Sequence, residues 1–153
     1  MKYDSYLVTF TEVSDEISLC LNLSNCPFHC KNCFEPWLRE DRGTILDIDE
    51  LERLIQDNPY TTCICYMGGD ANYQDLYALT LAFKFKHPRM KFAMYSGAVQ
   101  MNDLMSECLD YYKVGPFIPE KGPLNNPGTN QRFYIKNQNN WQDITYRFQM
   151  KKD

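Results

Sequence analysis

The sequence predicts an α/β fold built on a parallel sheet of βαβ units, and three observations carry that prediction. Short β-branched and apolar runs alternate along the chain with amphipathic stretches, which is the pattern of strand, crossover helix and parallel strand. Four of the strand-like runs end directly in a loop signal: the cysteine-rich segment after Leu23, then Gly68-Gly69-Asp70, Ser96-Gly97 and Gly115-Pro116. The 153 residues suffice for one domain with its own core, so residues 1–153 are read as a single domain.

Each element has its own justification. Tyr6 to Val13 reads as the opening strand, and Ile17, Leu19, Leu21 and Leu23 alternate with Ser18, Cys20 and Asn22 as the second. Asp47 starts a helix with Glu50 three positions on, as in a capping box, and Ile48, Leu51, Leu54 and Ile55 form its apolar face before Asn58-Pro59 ends it. Thr61 to Met67 is apolar enough for a buried strand. Asn72 and Asp75 open a helix carrying Leu76, Leu79 and Phe83, which His87-Pro88 closes. Lys91 to Tyr95 is the next strand, a shorter helix surrounds Leu104, Met105, Cys108 and Leu109, and Tyr111 to Gly115 is a further strand. A loop rich in Pro, Gly and Asn follows, its composition favouring a mobile or partner-facing segment, and Arg132 to Lys136 and Ile144 to Gln149 close the chain as strand-like runs. Because ligands of open parallel sheets bind beyond the carboxyl ends of the strands, the four strand-end turns are expected on one rim.

Composition narrows the function. A net charge of −4 and a pI near 5.2 argue against a nucleic-acid footprint, and the basic residues are scattered apart from a Lys151-Lys152 pair. No apolar run approaches the roughly 20 residues of a membrane span and no leader is visible, so a cytoplasmic protein is expected, with no membrane partner. Seven cysteines, an odd count without the marks of a small secreted scaffold, read as reduced thiols, some of them bound to metal.

Three of those thiols lie in Cys26-Pro27-Phe28-His29-Cys30-Lys31-Asn32-Cys33. A structural zinc site or an ordinary four-iron cluster takes four protein ligands, so a C-x3-C-x2-C loop with only three suggests a cluster whose fourth iron is left to a small molecule. The competing reading is a zinc knuckle that borrows His29, Cys63, Cys65 or Cys108; the paired-ligand zinc spacing is absent. Cys63 and Cys65 alternate on a predicted strand and share a face, where packing is the simpler role, and Cys20 and Cys108 are read the same way. Gly68-Gly69 taken alone is an ordinary strand-to-helix turn, and Ser96-Gly97 is balanced between turn and ligand contact.

On the cysteine segment from Asn25 to Cys33, on Met67-Gly68-Gly69-Asp70, on Tyr95-Ser96-Gly97, on Lys113-Val114-Gly115-Pro116-Phe117-Ile118 and on Thr129-Asn130-Gln131-Arg132-Phe133, the chain resembles the anaerobic ribonucleoside-triphosphate reductase activating proteins. These are small radical S-adenosylmethionine (SAM) enzymes of the glycyl-radical activating group. The resemblance covers nearly the whole chain; the cysteine spacing belongs to the superfamily, and the last two segments with the short length point to this family.

The resemblance implies a partial, open β/α barrel of the radical SAM type, with parallel strands and outer helices. It implies a [4Fe-4S] cluster on Cys26, Cys30 and Cys33, whose open iron takes the amino and carboxylate groups of SAM. Reductive cleavage of the S–C5′ bond then gives methionine and a 5′-deoxyadenosyl radical that takes hydrogen from a glycine Cα of the reductase. Gly68 and Gly69 would meet the methionine ammonium through their carbonyls, with Asp70 adding charge where the superfamily commonly has Glu, and Ser96 would reach the ribose or the carboxylate. Asn32 holds the position before the third cysteine, which is often aromatic and lies near adenine; Phe28, Phe34 and the backbone from Gly115 to Ile118 are open alternatives. Gln131 and Arg132 would either close a loop or meet substrate. The implied partners are the anaerobic reductase as protein substrate and a low-potential donor such as a flavodoxin. Two other classes stay in view: a radical enzyme on a small molecule, such as a deazapurine-forming synthase, and a non-enzymatic iron–sulfur or zinc module.

Overall fold

The computed structural model describes residues 1–149; Lys151-Lys152 lies outside the described residues. Its elements are β1 (Lys2–Thr9), β2 (Ser18–Leu23), β3 (Thr44–Ile45), α1 (Ile48–Asp57), β4 (Cys63–Met67), α2 (Tyr73–Lys86), β5 (Lys91–Tyr95), α3 (Asp103–Cys108), β6 (Tyr111–Val114), β7 (Arg132–Asn137) and β8 (Asn140–Asp143). The strands make one eight-stranded sheet in the order β3-β1-β2-β4-β5-β6-β7-β8.

This arrangement corrects the expected partial barrel with parallel strands and outer helices. The sheet is mixed: β2, β4, β5 and β6 run parallel, whereas β1 and β3 at one edge and β7 and β8 at the other pair antiparallel. A parallel partner needs a crossover, and helices supply one only between β2 and β6. No helix follows β6 or β7, so the chain turns back along its own edge, the second time through the two residues Gln138 and Asn139, with Gln138 at φ 57°. Among the described residues three α-helices form, of 10, 14 and 6 residues.

All three pack on one face. Leu19, Leu21 and Leu23 of β2, Ile64 and Tyr66 of β4, and Phe92 and Met94 of β5 alternate toward Leu51 and Leu54 of α1, Leu76 and Phe83 of α2, and Met105 of α3. The Tyr66 hydroxyl in this layer is paired with that of Thr80 at 2.9 Å, so its burial leaves no orphan group. The opposite face carries Cys20, Cys63, Cys65, Ala93, Tyr111 and Phe133, and it is covered by loops through Val13, Leu124 and Ile144 instead of by helices. The non-motif cysteines therefore lie in packed layers, Cys108 on the helical side.

Local chemistry explains where elements start and stop. The Asp47 carboxylate accepts the Glu50 N–H at 2.9 Å and so begins α1, while the Glu50 side chain binds Arg53 and Tyr3, leaving the capping box half made. The opening strand runs from Lys2 to Thr9, earlier than the expected Tyr6 to Val13, because Val13 is buried in the loop-covered layer, just before a turn with Asp15 at φ 67°. The expected terminal strand from Ile144 to Gln149 is instead β8 followed by a 3₁₀ turn, Thr145–Arg147: the Asp143 carboxylate takes both the N–H and the hydroxyl of Thr145, at 2.8 and 2.6 Å, and bends the chain.

Candidate functional site

The cysteine loop leaves β2 through Asn25, whose φ of 62° turns the chain out of the sheet, and it is clasped at its base by Cys26 N–H to Leu38 O at 2.9 Å and Asn25 N–H to Glu40 O at 3.2 Å. Inside the loop Cys33 N–H donates to Cys30 O at 3.3 Å, with Asn32 at φ 56° making the turn, a conformation that Asn tolerates better than most residues. The Phe28 ring is seated on Gly97: a Cβ there would stand 2.7 Å from the ring, so the glycine after β5 makes room for the loop. Arg39 Nη2 donates to Cys30 O at 3.3 Å from the far side of the clasp.

Cys26, Cys30 and Cys33 are half-buried and line one cavity of about 250 Å3 together with Phe28, Gly68 and Tyr95. A smaller cavity of about 180 Å3 adjoins it, walled by Cys26, Cys30, Gly68, Asp70, Ser96 and Gln131 among others. The four strand-end turns thus meet at one mouth. Beyond Tyr95 and Lys113 the space widens into a cleft of about 730 Å3 under the 116–131 loop.

The structure separates the roles of the predicted contacts. Gly68, at φ +89°, has only Leu23 O within 4 Å of a would-be Cβ and faces the cavity, whereas a Cβ on Gly69 would strike Leu76 and Leu23 in the core at 2.6 and 2.7 Å. The Gly69 carbonyl accepts the Asn72 N–H at 2.9 Å, so that carbonyl is engaged at the start of α2. Asp70 accepts hydrogen bonds from the Ser96 hydroxyl, from Tyr73 at 2.6 Å and from the Gly97 N–H at 3.3 Å. Ser96 in turn accepts the Ala98 N–H at 3.0 Å. Asp70 and Ser96 therefore lock β4 to β5 at the rim. Asn32 is exposed and lines neither cavity.

The late segment closes a loop. Asn130 Nδ2 donates to Pro116 O at 2.9 Å, Thr129 to Gly122 O at 3.2 Å, and Arg132 to the carbonyls of Thr129 and Gln131 at 3.0 and 2.8 Å. With Leu124 buried at its tip, the 116–131 segment is tied by these bonds into one wall of the cleft. Gln131 is buried and faces both the small cavity and the cleft.

Lys113 is the site residue that sequence reasoning did not single out. It sits in a central strand between Tyr112 and Val114, is 7% exposed, and donates to Gly115 O at 2.7 Å and Ser96 O at 3.5 Å, over the Tyr95 ring. Burial pushes its pKa down to about 8, against the pull of Cys30 and Asp70, which favour the charged form. The signal available was a lone cation at an inward position of a strand otherwise made of aromatic and branched residues. Burial also raises the Cys26 thiol, reinforced by Asp70, Cys30 and Cys33 and opposed by the backbone N–H of Phe28.

The residues fit an iron–sulfur cluster. Among the described residues no three His, Cys, Asp or Glu side chains converge on a single metal-ion position. Three thiols that line one cavity would supply the thiolates by which an iron–sulfur cluster is held. Arg39 supplies a second match: its Nε is buried without a hydrogen-bond partner beside that cavity, a donor that the sulfur of an anionic cluster can accept. Among the described residues no helix is long and apolar enough to cross a membrane.

Residues 17–125 match the family model described as a 4Fe-4S single cluster domain, a span that begins beside β2 and contains the three loop cysteines, the three glycine turns and Lys113. Comparisons with curated proteins and with solved structures gave no match.

Proposed function

The chain belongs to the family of 4Fe-4S single cluster domains, and from that premise we propose that it is a cytoplasmic radical SAM enzyme that installs a glycyl radical on an anaerobic ribonucleoside-triphosphate reductase. The observation that carries the reading is the ligand count: three half-buried thiols ring the cavity, while Cys20, Cys63, Cys65 and Cys108 are buried in packed layers. Cys26, Cys30 and Cys33 would hold the cluster, which when bound and reduced would supply the electron for reductive cleavage of SAM.

The chain's own residues have definable tasks in this reading. Cys26, Cys30 and Cys33 hold the cluster. Gly68 lets backbone approach the bound amino acid, with no Cβ in the way. Lys113, buried and cationic, is the group to neutralise the ligand carboxylate, and Asp70 acts through Ser96 by fixing the rim. Phe34 is 81% exposed directly after the third cysteine and pairs with Phe117 at 5.7 Å across the mouth, offering a stacking face for adenine where Asn32 has none. The cleft beyond Lys113 is the space for the partner's glycine loop, and a low-potential donor such as a flavodoxin would reduce the cluster.

Anaerobic reconstitution with iron and sulfide, followed by reduction in the presence of SAM, tests this. The expected products are methionine and 5′-deoxyadenosine, lost in Cys30→Ala. Cluster uptake without 5′-deoxyadenosine, or equal product from the variant, overturns the radical reading. Mixing with a reductase subunit should then give the glycyl doublet in electron paramagnetic resonance; SAM cleavage without that doublet points to a small-molecule substrate instead.

A further inference from the structure

Four residues border both the small cavity beside the cysteine loop and the cleft beyond it: Tyr95, Lys113, Phe117 and Gln131. They form the passage between the two spaces, and three of them are committed. The Tyr95 hydroxyl donates to Glu12 O at 2.6 Å, the Lys113 ammonium donates to Gly115 O at 2.7 Å, and the Phe117 ring lies against Phe34. Gln131 is different. Its hydrogen bonds are made by its backbone, and among the described residues its side-chain amide, a donor and an acceptor together, makes none although the residue is only 6% exposed.

The backbone beneath that side chain is pinned. Gln131 N–H donates to Thr129 Oγ1 at 3.1 Å and its carbonyl accepts from Arg132 Nη1 at 2.8 Å. A Cβ on Gly115 would come within 3.0 Å of the Gln131 Cα, so the glycine that ends β6 lets the two segments meet at the passage. A buried amide held in place without a partner carries a desolvation cost that a ligand with matching groups would remove. The missing partner must offer a donor and an acceptor close together.

We propose that Gln131 binds the glycine of the protein substrate, its Oε1 accepting the glycine N–H and its Nε2 donating to the glycine C=O, an assignment that presupposes the glycyl-radical reading above. Glycine has no side chain to recognise, so a site that selects its Cα must hold the backbone groups on either side of it. In an extended segment the N–H and C=O of one residue point to the same edge, as in the hydrogen-bonded pairs of an antiparallel sheet, and a carboxamide offers the complementary pair on one side chain. A residue gripped by Gln131 stands in the passage, entering from the cleft and facing the cavity walled by Cys26, Cys30 and Ser96. Tyr95 and Phe117 line the same passage with ring surface, a setting of low dielectric in which such bonds are stronger.

A binding cycle on the full chain, reconstituted anaerobically, tests the proposal without turnover. The probes are a heptapeptide with one glycine between three alanines on each side and its depsipeptide, in which an ester oxygen replaces the glycine N–H, each titrated by NMR. Wild type should bind the peptide about five- to tenfold tighter than the ester. Gln131→Met, close in length and without the amide, should bind the peptide about tenfold more weakly than wild type does and should no longer distinguish it from the ester; Gln131→Glu, which keeps the acceptor, should retain the preference. Circular dichroism verifies the fold of each variant, and equilibrium dialysis reads SAM affinity alongside. A wild-type chain that binds the two probes equally or not at all, a preference for the peptide that survives in Gln131→Met or vanishes in Gln131→Glu, or a SAM affinity that falls as far as the peptide's overturns it. Failure to cleave SAM is a separate outcome that overturns the radical reading, because the binding cycle needs no cleavage.

Discussion

The two ends of the parallel strands are built on opposite principles. At the amino ends one carboxylate gathers all four: Glu16, just before β2, accepts from Thr62 before β4 at 2.6 Å, from Lys91 at the start of β5 at 2.5 Å and from Tyr111 at the start of β6 at 2.7 Å. Glu16 is 7% exposed and its acceptor sites are engaged, so that end is closed chemically as well as sterically. At the carboxyl ends the same four strands stop in turns around two adjoining cavities, the larger walled by three thiols and Gly68 and the smaller by Lys113, Gly68 and two of those thiols. The lesson is a division of labour: saturation of polar groups holds the strands in register at one end, and the other keeps the Arg39 Nε unpaired beside three free thiols.

The largest test of that contrast is a reciprocal pair of variants. Glu16→Gln leaves Lys91 and Tyr111 facing a neutral amide, and should cost about 2 to 3 kcal/mol of folding stability, at the low end for buried pairs because Lys91 is half exposed. The cluster should load normally below the melting temperature. Cys30→Ala should do the reverse, abolishing iron uptake while shifting the melting temperature by only a few degrees, since the thiol lies in a loop outside both packed layers. Chemical denaturation with iron and sulfide analysis reads both. A Glu16→Gln protein that folds as stably as wild type, or a Cys30→Ala protein that is globally destabilised, breaks the comparison.

Acid adds a signed version of the Glu16 prediction. Burial opposes ionisation of Glu16, but the bonds from Lys91, Thr62 and Tyr111 outweigh it and hold the pKa below the usual carboxylate range. A lowered folded pKa stabilises above the unfolded value of about 4.3 and is lost as pH falls through the folded one. The stability difference between wild type and Glu16→Gln should therefore be constant at neutral pH and shrink below about pH 4.

At the open end, Lys113→Met is the next largest effect. Wild-type Lys113 titrates near 8 when folded and near 10.4 when unfolded, so between those values the folded chain binds fewer protons and stability rises with pH. Below pH 8 the buried charge opposes folding at full strength. Lys113→Met removes that opposition, so it should be at least as stable as wild type at pH 7, and the gap should close toward pH 10. SAM affinity should drop about ten- to hundredfold in the same variant, measured by equilibrium dialysis. Lost stability at pH 7, or unchanged affinity, assigns Lys113 to the scaffold end of the comparison.

How much of this was legible beforehand follows from the range of the forces involved. The Asp47 cap, the limits of β5 and the glycine turns are local, set by residues within a few positions, and the sequence spelled them correctly. The three cysteines stood out because of their spacing, and the structure brings them to one cavity. The antiparallel edges were not: β3 is two residues long and exists because Lys2 and Tyr3 offer a free edge, and the two-residue turn at Gln138 and Asn139 replaces a helix that a barrel would require. Lys113 and Glu16 escaped because each takes its meaning from partners far along the chain, Ser96 in one case and Lys91 and Tyr111 in the other.

The smallest predicted effect concerns Asn32, where a family position and a backbone conformation make competing demands. The residue precedes the third cysteine, the place where cofactor contact is expected, yet it is exposed, lines neither cavity and sits at φ 56°. If the left-handed turn is its whole task, glycine performs it equally well, and Asn32→Gly should leave folding stability within about 0.5 kcal/mol. Iron content and SAM affinity should stay within about twofold of wild type. Asn32→Ala, which must force a Cβ into the same conformation, should cost about 1 kcal/mol and make cluster loading slower without changing its end point. Reconstitution time courses of the two variants discriminate: a glycine variant that loads fully but binds SAM several-fold more weakly would place the Asn32 side chain against the cofactor and move it from the framework of the loop to its working surface.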